Sequence, residues 1–169
     1  IGDFDSIVKF TTQELEELNI PLEMFPGEKN ETDMELAMQK AVLKNPSEVL
    51  IYFGTGGRLD HYQSNLELVL AYQLQFPTVR FCIVDDAHEI SFVLPGSHRS
   101  VKKPDDCYLS LYAFHQPVKG ITLRGVKYEV TDDQIPIGSV RYTSNEIIEE
   151  EMTLHFEEGI VLMIRSQMH

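Results

Sequence analysis

The apolar residues of this chain change their period once, near residue 86, and that change constrains the fold more than any single motif. Ahead of it, helical and strand-like segments alternate. Thr11 and Glu14 form a capping box for a short helix that Pro21 ends. Leu22-Glu23-Met24-Phe25, enclosed by Pro21 and Pro26, reads as a short strand. Thr32 and Glu35 form a second box, and Met34, Ala37, Met38, Ala41 and Val42 share one face of the helix behind it. Asn45-Pro46-Ser47 closes that helix. Val49–Phe53 is a continuous apolar run, as expected of a strand covered on both faces of a parallel sheet. Gly54-Thr55-Gly56-Gly57 follows, then a helical stripe of Leu59, Tyr62, Leu66, Val69 and Leu70 that closes near Pro77. Val79–Val84 is the next strand. Such alternation predicts an α/β layer with a parallel sheet.

After Asp85-Asp86 the helical period disappears. Short strand-like runs recur between turn residues: Glu89–Leu94, Cys107–Phe114, Gly120–Leu123, Tyr128–Val130, Ser139–Thr143, Met152–Phe156 and Ile160–Ile164. That spacing predicts an antiparallel β-sandwich or barrel. The expected organisation is therefore an α/β domain over residues 1–86 and an all-β domain over 87–169. There is no internal repeat and no low-complexity tract.

Charge narrows the partners. Lys plus Arg number 14 and Asp plus Glu 27, a formal net charge of −13. So acidic a surface repels nucleic acid and anionic lipid. The hydrophobic fraction of 43% is too high for a disordered acidic chain. No apolar run approaches the ~18–20 residues of a membrane span, and no signal-peptide pattern is present. Cys82 and Cys107 lie within apolar runs, as expected of buried thiols in a reducing compartment. His88, His98, His115, His155 and His169 have no metal-ligand spacing, and no nucleophile motif such as Gly-x-Ser-x-Gly is present.

Four short constellations could carry chemistry. In Gly2-Asp3-Phe4-Asp5-Ser6, extended backbone turns Asp3 and Asp5 to one side. Two carboxylates so placed suit Mg²⁺ shared with substrate phosphates, though an Asx-rich turn uses the same residues. In Lys29-Asn30-Glu31-Thr32-Asp33 the residues are fully accounted for as a helix start; a functional reading would put Asp33 beside a metal and Lys29 beside a phosphate. Gly54–Gly57 continues into Arg58-Leu59-Asp60-His61, between a strand and a helix. Glycines let backbone approach a ligand, the helix start offers N–H groups to an anion, and Arg58 suits a phosphate. Asp60 would orient Arg58 or bind metal. The loop lacks both the Walker Gly-Lys-Ser/Thr ending and the dinucleotide glycine spacing. Arg, Asp and His together exceed what a turn requires. Tyr142-Thr143-Ser144-Asn145 could hydrogen-bond a polar ligand edge or simply form a turn.

In their order and spacing these segments resemble the thiamine pyrophosphokinase family. GDFDS at Gly2–Ser6, KNETD at Lys29–Asp33 and GTGGRLDHYQSN at Gly54–Asn65 resemble its three signature elements. Ile121–Val130 and the Ser144-Asn145 pair resemble its C-terminal β domain. The resemblance implies an N-terminal parallel-sheet α/β domain, a C-terminal antiparallel β-sandwich and a cytoplasmic homodimer with a shared active site. It implies a one-step transfer of the pyrophosphoryl group of ATP to the thiamine hydroxyl, giving thiamine diphosphate and AMP. Asp3, Asp5 and Asp33 match positions that bind Mg²⁺ or the nucleotide phosphates and serve catalysis. Lys29, Thr32, Arg58, Asp60 and His61 match the ATP side; Tyr128, Ser144 and Asn145 match the thiamine side. The family's earlier strand, ending in Asp-Gly, would fall ahead of Ile1, so the α/β domain is expected to be missing its first strand. Two other readings fit the same motifs: a nucleotide- or thiamine-binding module without catalysis, and a pyrophosphokinase for another primary alcohol.

Overall fold

Asp33–Val42 form helix α1. Its N-cap is Thr32, in extended backbone, whose Oγ1 accepts a hydrogen bond from the Glu35 N–H at 3.1 Å. This satisfies one of the donors that every helix start leaves without an intrahelical partner. Asp33 and Glu35 in the first turn and Lys40 in the last complement the helix dipole. Beyond the helix, Asn45 takes φ 50° and Pro46 follows, which prevents continuation. The computed structural model describes residues 31–52, 54–55, 57–96, 99–102 and 107–167. The helix expected after Thr11, the strand expected at Leu22–Phe25, and the residues Asp3, Asp5 and Lys29 lie outside the described residues. The chain divides into two units, residues 1–46, which hold α1, and residues 47–169.

The second unit contains β1 (Glu48–Tyr52), α2 (Leu59–Gln75), β2 (Arg80–Val84), β3 (His88–Val93), β4 (Arg99–Lys102), β5 (Cys107–Ala113), β6 (Val118–Arg124), β7 (Val130–Ile135), β8 (Asn145–Glu146), β9 (Glu151–His155) and β10 (Val161–Gln167). Among the described residues six strands form one sheet in the order β1-β2-β3-β10-β5-β8, and four form another in the order β4-β9-β6-β7. The six-stranded sheet is mixed rather than parallel. β1 and β2 run parallel, with Glu48 opposite Arg80 and Tyr52 opposite Val84. β2 then turns back, and Cys82 pairs antiparallel with Ser91. Position 86, where the change of period falls, lies in that turn. An apolar run reports that a strand is buried, not which way its neighbour points. The second sheet is antiparallel throughout its described pairs.

Each face of the first sheet has its own cover. On one face Phe81 and Ile83 are fully buried, and α2 packs across β2 and β3. The Tyr72 and Phe81 rings meet edge-on at 5.9 Å. Leu66, Val69 and Leu70 are the buried stripe of α2, whereas Leu59, the first residue of its expected stripe, is exposed. On the other face Val93, Leu109, Leu111, Val161 and Met163 join Val118, Ile121, Leu123, Ile135, Met152, Leu154 and Phe156 in one core. That core closes a β-sandwich, as the alternation predicts. Burying each such side chain contributes roughly 1.5–3 kcal/mol.

Several strand boundaries differ from expectation. Ser139–Thr143 is not a strand. Ser139 N–H bonds the Pro136 carbonyl at 3.1 Å and Thr143 N–H the Val140 carbonyl at 3.2 Å, closing successive turns. Tyr142 is buried there because its carbonyl accepts from Leu111 N–H at 3.0 Å, which pins the turn to β5. β7 begins at Val130 instead of Tyr128 and is half exposed at the sheet's edge, so it carries little apolar signal. β1 stands at one end of the described sheet; Ile51 is buried, but Leu50 and Tyr52 are exposed, so coverage of both faces is not seen.

Candidate functional site

The glycine loop leaves the C-terminal end of β1 beside β2. Gly54 is buried, and a Cβ there would lie 2.8 Å from Ile83 Cγ2, closer than packing allows. From α2, Asn65 Nδ2 donates to the Gly54 carbonyl at 3.0 Å. Thr55 Oγ1 donates to Asp85 Oδ2 at 2.6 Å. The other oxygen, Oδ1, accepts from the N–H groups of Ala87 at 2.9 Å and His88 at 2.8 Å, and lies 2.9 Å from His88 Nδ1. These bonds, that from Thr55 foremost, hold the Asp85 carboxyl down at about 2. Burial, together with the charge on Asp85, raises the Tyr62 hydroxyl in α2.

The loop delivers the chain into α2. Arg58 is its N-cap, and its carbonyl accepts from Tyr62 N–H at 3.1 Å, with no side-chain cap on the first turn. Arg58 Nε donates to Asp60 Oδ1 at 3.1 Å, and Nη2 pairs with Oδ2. Both side chains are exposed, and the Arg58 guanidinium holds the Asp60 carboxyl at about 2. His61 is exposed beside them. A helix start preceded by glycines and flanked by an arginine is suited to an anion.

A pocket of about 530 Å³ lies among the segments flanking β7 and β8. Tyr128, Val130, Arg141, Tyr142, Thr143 and Asn145 are among the residues that line it. Tyr128 is 63% exposed although Asn145 is 5% exposed. The Asn145 amide explains how the ring is held out. Its Oδ1 accepts from Tyr128 N–H at 3.0 Å and Glu146 N–H at 2.9 Å, and its Nδ2 donates to the Tyr128 carbonyl at 3.0 Å. Ser144, at φ 56°, turns the chain into β8 and gives its N–H to Ser110 Oγ at 3.0 Å.

Both cations at the pocket are matched by carboxylates. Lys127 Nζ bonds Glu146 Oε1 at 2.6 Å, which raises the lysine, and lies 5.7 Å from the Tyr128 ring centre. Arg141 Nη1 bonds Asp133 Oδ2 at 3.0 Å. Tyr142 donates its hydroxyl proton to the same oxygen at 2.7 Å. Burial and then that bond push the Tyr142 hydroxyl up to about 12, and the bond lowers Asp133. With the positive charges locally balanced, the Tyr128 face can accept a flat or cationic ring.

Comparison with known proteins draws on the whole chain. A profile described as "Thiamin pyrophosphokinase, catalytic domain" matches residues 1–83, and one described as "Thiamin pyrophosphokinase, vitamin B1 binding domain" matches residues 98–161. The thiamine pyrophosphokinase of Bacillus subtilis (strain 168) is 33% identical over 165 residues, covering 98% of this chain and 76% of the relative. The chain belongs to the thiamine pyrophosphokinase family. That is a family of transferase enzymes, and its solved members share this fold. The Bacillus subtilis thiamine pyrophosphokinase structure superposes with TM-score 0.86 at 34% identity, covering 98% of this chain and 77% of that one. The Geobacillus thermodenitrificans structure superposes with TM-score 0.82 at 36% identity, covering 99% and 76%.

Measured against the thiamine pyrophosphokinase resemblance, the expected residues fall into separate groups. Arg58 and Asp60 are brought together, with His61 adjoining. Tyr128 and Asn145 are brought together at the pocket, and Ser144 forms the turn beside them. Thr32 and Asp33 open α1 in the other unit. Lys127, Arg141, Asp133 and Asp85 were not foreseen. The first three are ordinary charged residues whose meaning depends on cross-strand neighbours. Asp85 carried a readable signal, an acid ending a strand before a tight turn, where a carboxylate caps backbone N–H groups.

Proposed function

We propose that this chain is an ATP:thiamine diphosphotransferase. The thiamine hydroxyl oxygen bonds to the β-phosphorus of ATP, the bond from that phosphorus to the α–β bridging oxygen breaks, and AMP leaves. The observation that supports this reading best is the coincidence of geometry with family position. The whole pocket lining, from Lys127 to Asn145, falls within the residues matched by the vitamin B1 binding profile. The glycine loop falls within those matched by the catalytic profile. In this reading residues 1–86 handle the nucleotide and residues 87–169 handle thiamine.

The residues divide the work physically. Backbone N–H groups of Gly54–Gly57 and the α2 start take phosphate oxygens, and Arg58 adds positive charge, oriented by Asp60. His61, Thr32 and Lys29 complete the ATP side. The Tyr128 ring stacks on thiamine, Asn145 holds that ring in place, and Ser144 offers polar contacts. Asp3 or Asp5 accepts the hydroxyl proton. Among the described residues no three His, Cys, Asp or Glu side chains gather as a metal cluster. The magnesium implied by the family would be held by Asp3, Asp5 and Asp33, an all-carboxylate donor set that fits this hard cation. Mg²⁺ bound there would neutralise phosphate charge during transfer. Phosphoryl-type transfer asks mainly for alignment and charge neutralisation, which these groups supply.

The acidic chain attracts thiamine, a cation, while Arg58 and Lys29 receive the anionic co-substrate. No helix among the described residues is long and apolar enough to cross a membrane. The setting proposed, from the family resemblance, is the cytoplasm. The proposed assembly is a homodimer with a shared site, which light scattering at micromolar concentration tests. The reaction is tested by incubating the protein with thiamine, ATP and Mg²⁺. AMP and thiamine diphosphate are expected; ADP with thiamine monophosphate would overturn the pyrophosphoryl step.

A further inference from the structure

Asp85 lies outside every motif of the sequence, yet it touches the loop that leads into the α2 start. The parallel register places Tyr52, the end of β1, opposite Val84, the end of β2. Asp85 directly follows Val84, and from the loop after β1 the Thr55 hydroxyl reaches Asp85 Oδ2 at 2.6 Å. The two carboxylate oxygens have different tasks. Oδ1 is taken up by the β2–β3 turn, through the Ala87 and His88 N–H groups and the His88 ring. Oδ2 serves the glycine loop through Thr55. On its other side the loop is held by Asn65 at the Gly54 carbonyl, and Gly54 is wedged against Ile83.

We infer that Asp85 is a positioning residue for nucleotide binding, setting the conformation of the chain at Gly54 and Thr55 through the Thr55 hydroxyl. A carboxylate suits this task. As an anion it is a stronger acceptor than a neutral amide, and a charge-assisted bond holds a glycine-rich segment that has little intrinsic preference of its own. Its charge is engaged by donors of the loop and the turn. The inference rests on the reading of the loop as the ATP side of the site.

The test separates the two oxygens. Thr55→Val removes the bond to Oδ2 and leaves the β2–β3 turn intact. The expected result is about a tenfold rise in KM for ATP, the scale of one lost charge-assisted bond, with KM for thiamine unchanged. Thr55→Ser, which keeps the hydroxyl, restores the ATP value. Asp85→Asn raises KM for ATP in the same direction, and the Thr55→Val/Asp85→Asn double variant is no worse than the more severe single one. Should Thr55→Val fail to fold, as judged by circular dichroism, Asp85→Asn against wild type carries the same comparison. Wild-type turnover with an unmoved KM for ATP in these variants overturns this inference alone. Absence of wild-type turnover with ATP overturns it together with the reading beneath it.

Discussion

The glycine loop and the aromatic pocket are both surface features fastened from below, but by different chemistry. The loop is tied by an anion, Asp85, and its arginine by another, Asp60. The pocket's ring is held by a neutral amide, Asn145, bonded to the backbone on both sides of Tyr128. The first fastening depends on charge and on a glycine's close approach. The second depends on burial of a group that cannot ionise. The segment proposed for a polyanion is thus tied by charged groups, and the one proposed for an aromatic ring by the hydrogen bonds of a buried neutral amide.

The contrast can be broken most forcefully at Arg58. Arg58→Ala is expected to lower kcat/KM about a hundredfold, the scale of losing one preorganised donor to a reacting phosphate. Its exposed ion pair should leave the melting temperature almost unmoved. Comparable losses of stability and activity would erase the distinction.

At the pocket the reverse division is expected. Asn145→Ala strands the Tyr128 and Glu146 N–H groups and should cost about 3 kcal/mol in urea unfolding. Tyr128→Ala, at a ring that is 63% exposed, should cost under about 0.5 kcal/mol. It should nevertheless raise KM for thiamine about tenfold, consistent with loss of a stacking contact. Next in size is Gly54→Ala, whose Cβ would meet Ile83 at 2.8 Å. It should destabilise by about 2 kcal/mol, read from the denaturant midpoint.

A smaller effect sharpens the comparison through pH. Asp85 is held at about 2, below its ordinary value of 3.8. A lowered carboxyl contributes stability above the ordinary value, and that contribution is lost as pH falls from about 4 through about 2. Melting temperatures across this window should fall less steeply in Asp85→Asn than in wild type, whereas Asn145→Ala should leave the slope unchanged. Milder than Gly54→Ala is Tyr142→Phe, which removes one bond to Asp133 and should cost about 1 kcal/mol. Spectrophotometric titration of that variant should lose the tyrosinate that forms near pH 12.

Much of this architecture is legible in the residue pattern. The Thr32 cap, the α2 stripe at Leu66, Val69 and Leu70, and most strands of the sandwich follow from period and turn residues. The glycine loop and Arg58-Asp60-His61 stand out because their chemistry exceeds what a turn needs. Less legible is anything decided by a partner distant in sequence. Ser139–Thr143 has a strand's composition, but bonds to Pro136, Val140 and Leu111 make it a pinned turn. β7 is polar and at an edge, so its period says little. Asn145 is legible as a candidate ligand contact, but its bonds to Tyr128, seventeen positions away, are not.

By itself the sequence determined the class of layers, the change from alternating to all-β segments, and the ordered motifs that identify the family. These are local quantities, set by the 3.6- and 2-residue periods and by glycine, proline and capping chemistry. Tertiary structure alone decided that β2 turns back, so that strands from both sides of residue 86 share one mixed sheet. It alone decided that Asp85 meets Thr55 and Asn145 clamps Tyr128. The reason is physical: hydrogen bonds are short and directional, so their partners are fixed only when the sheets have brought distant residues within about 3 Å.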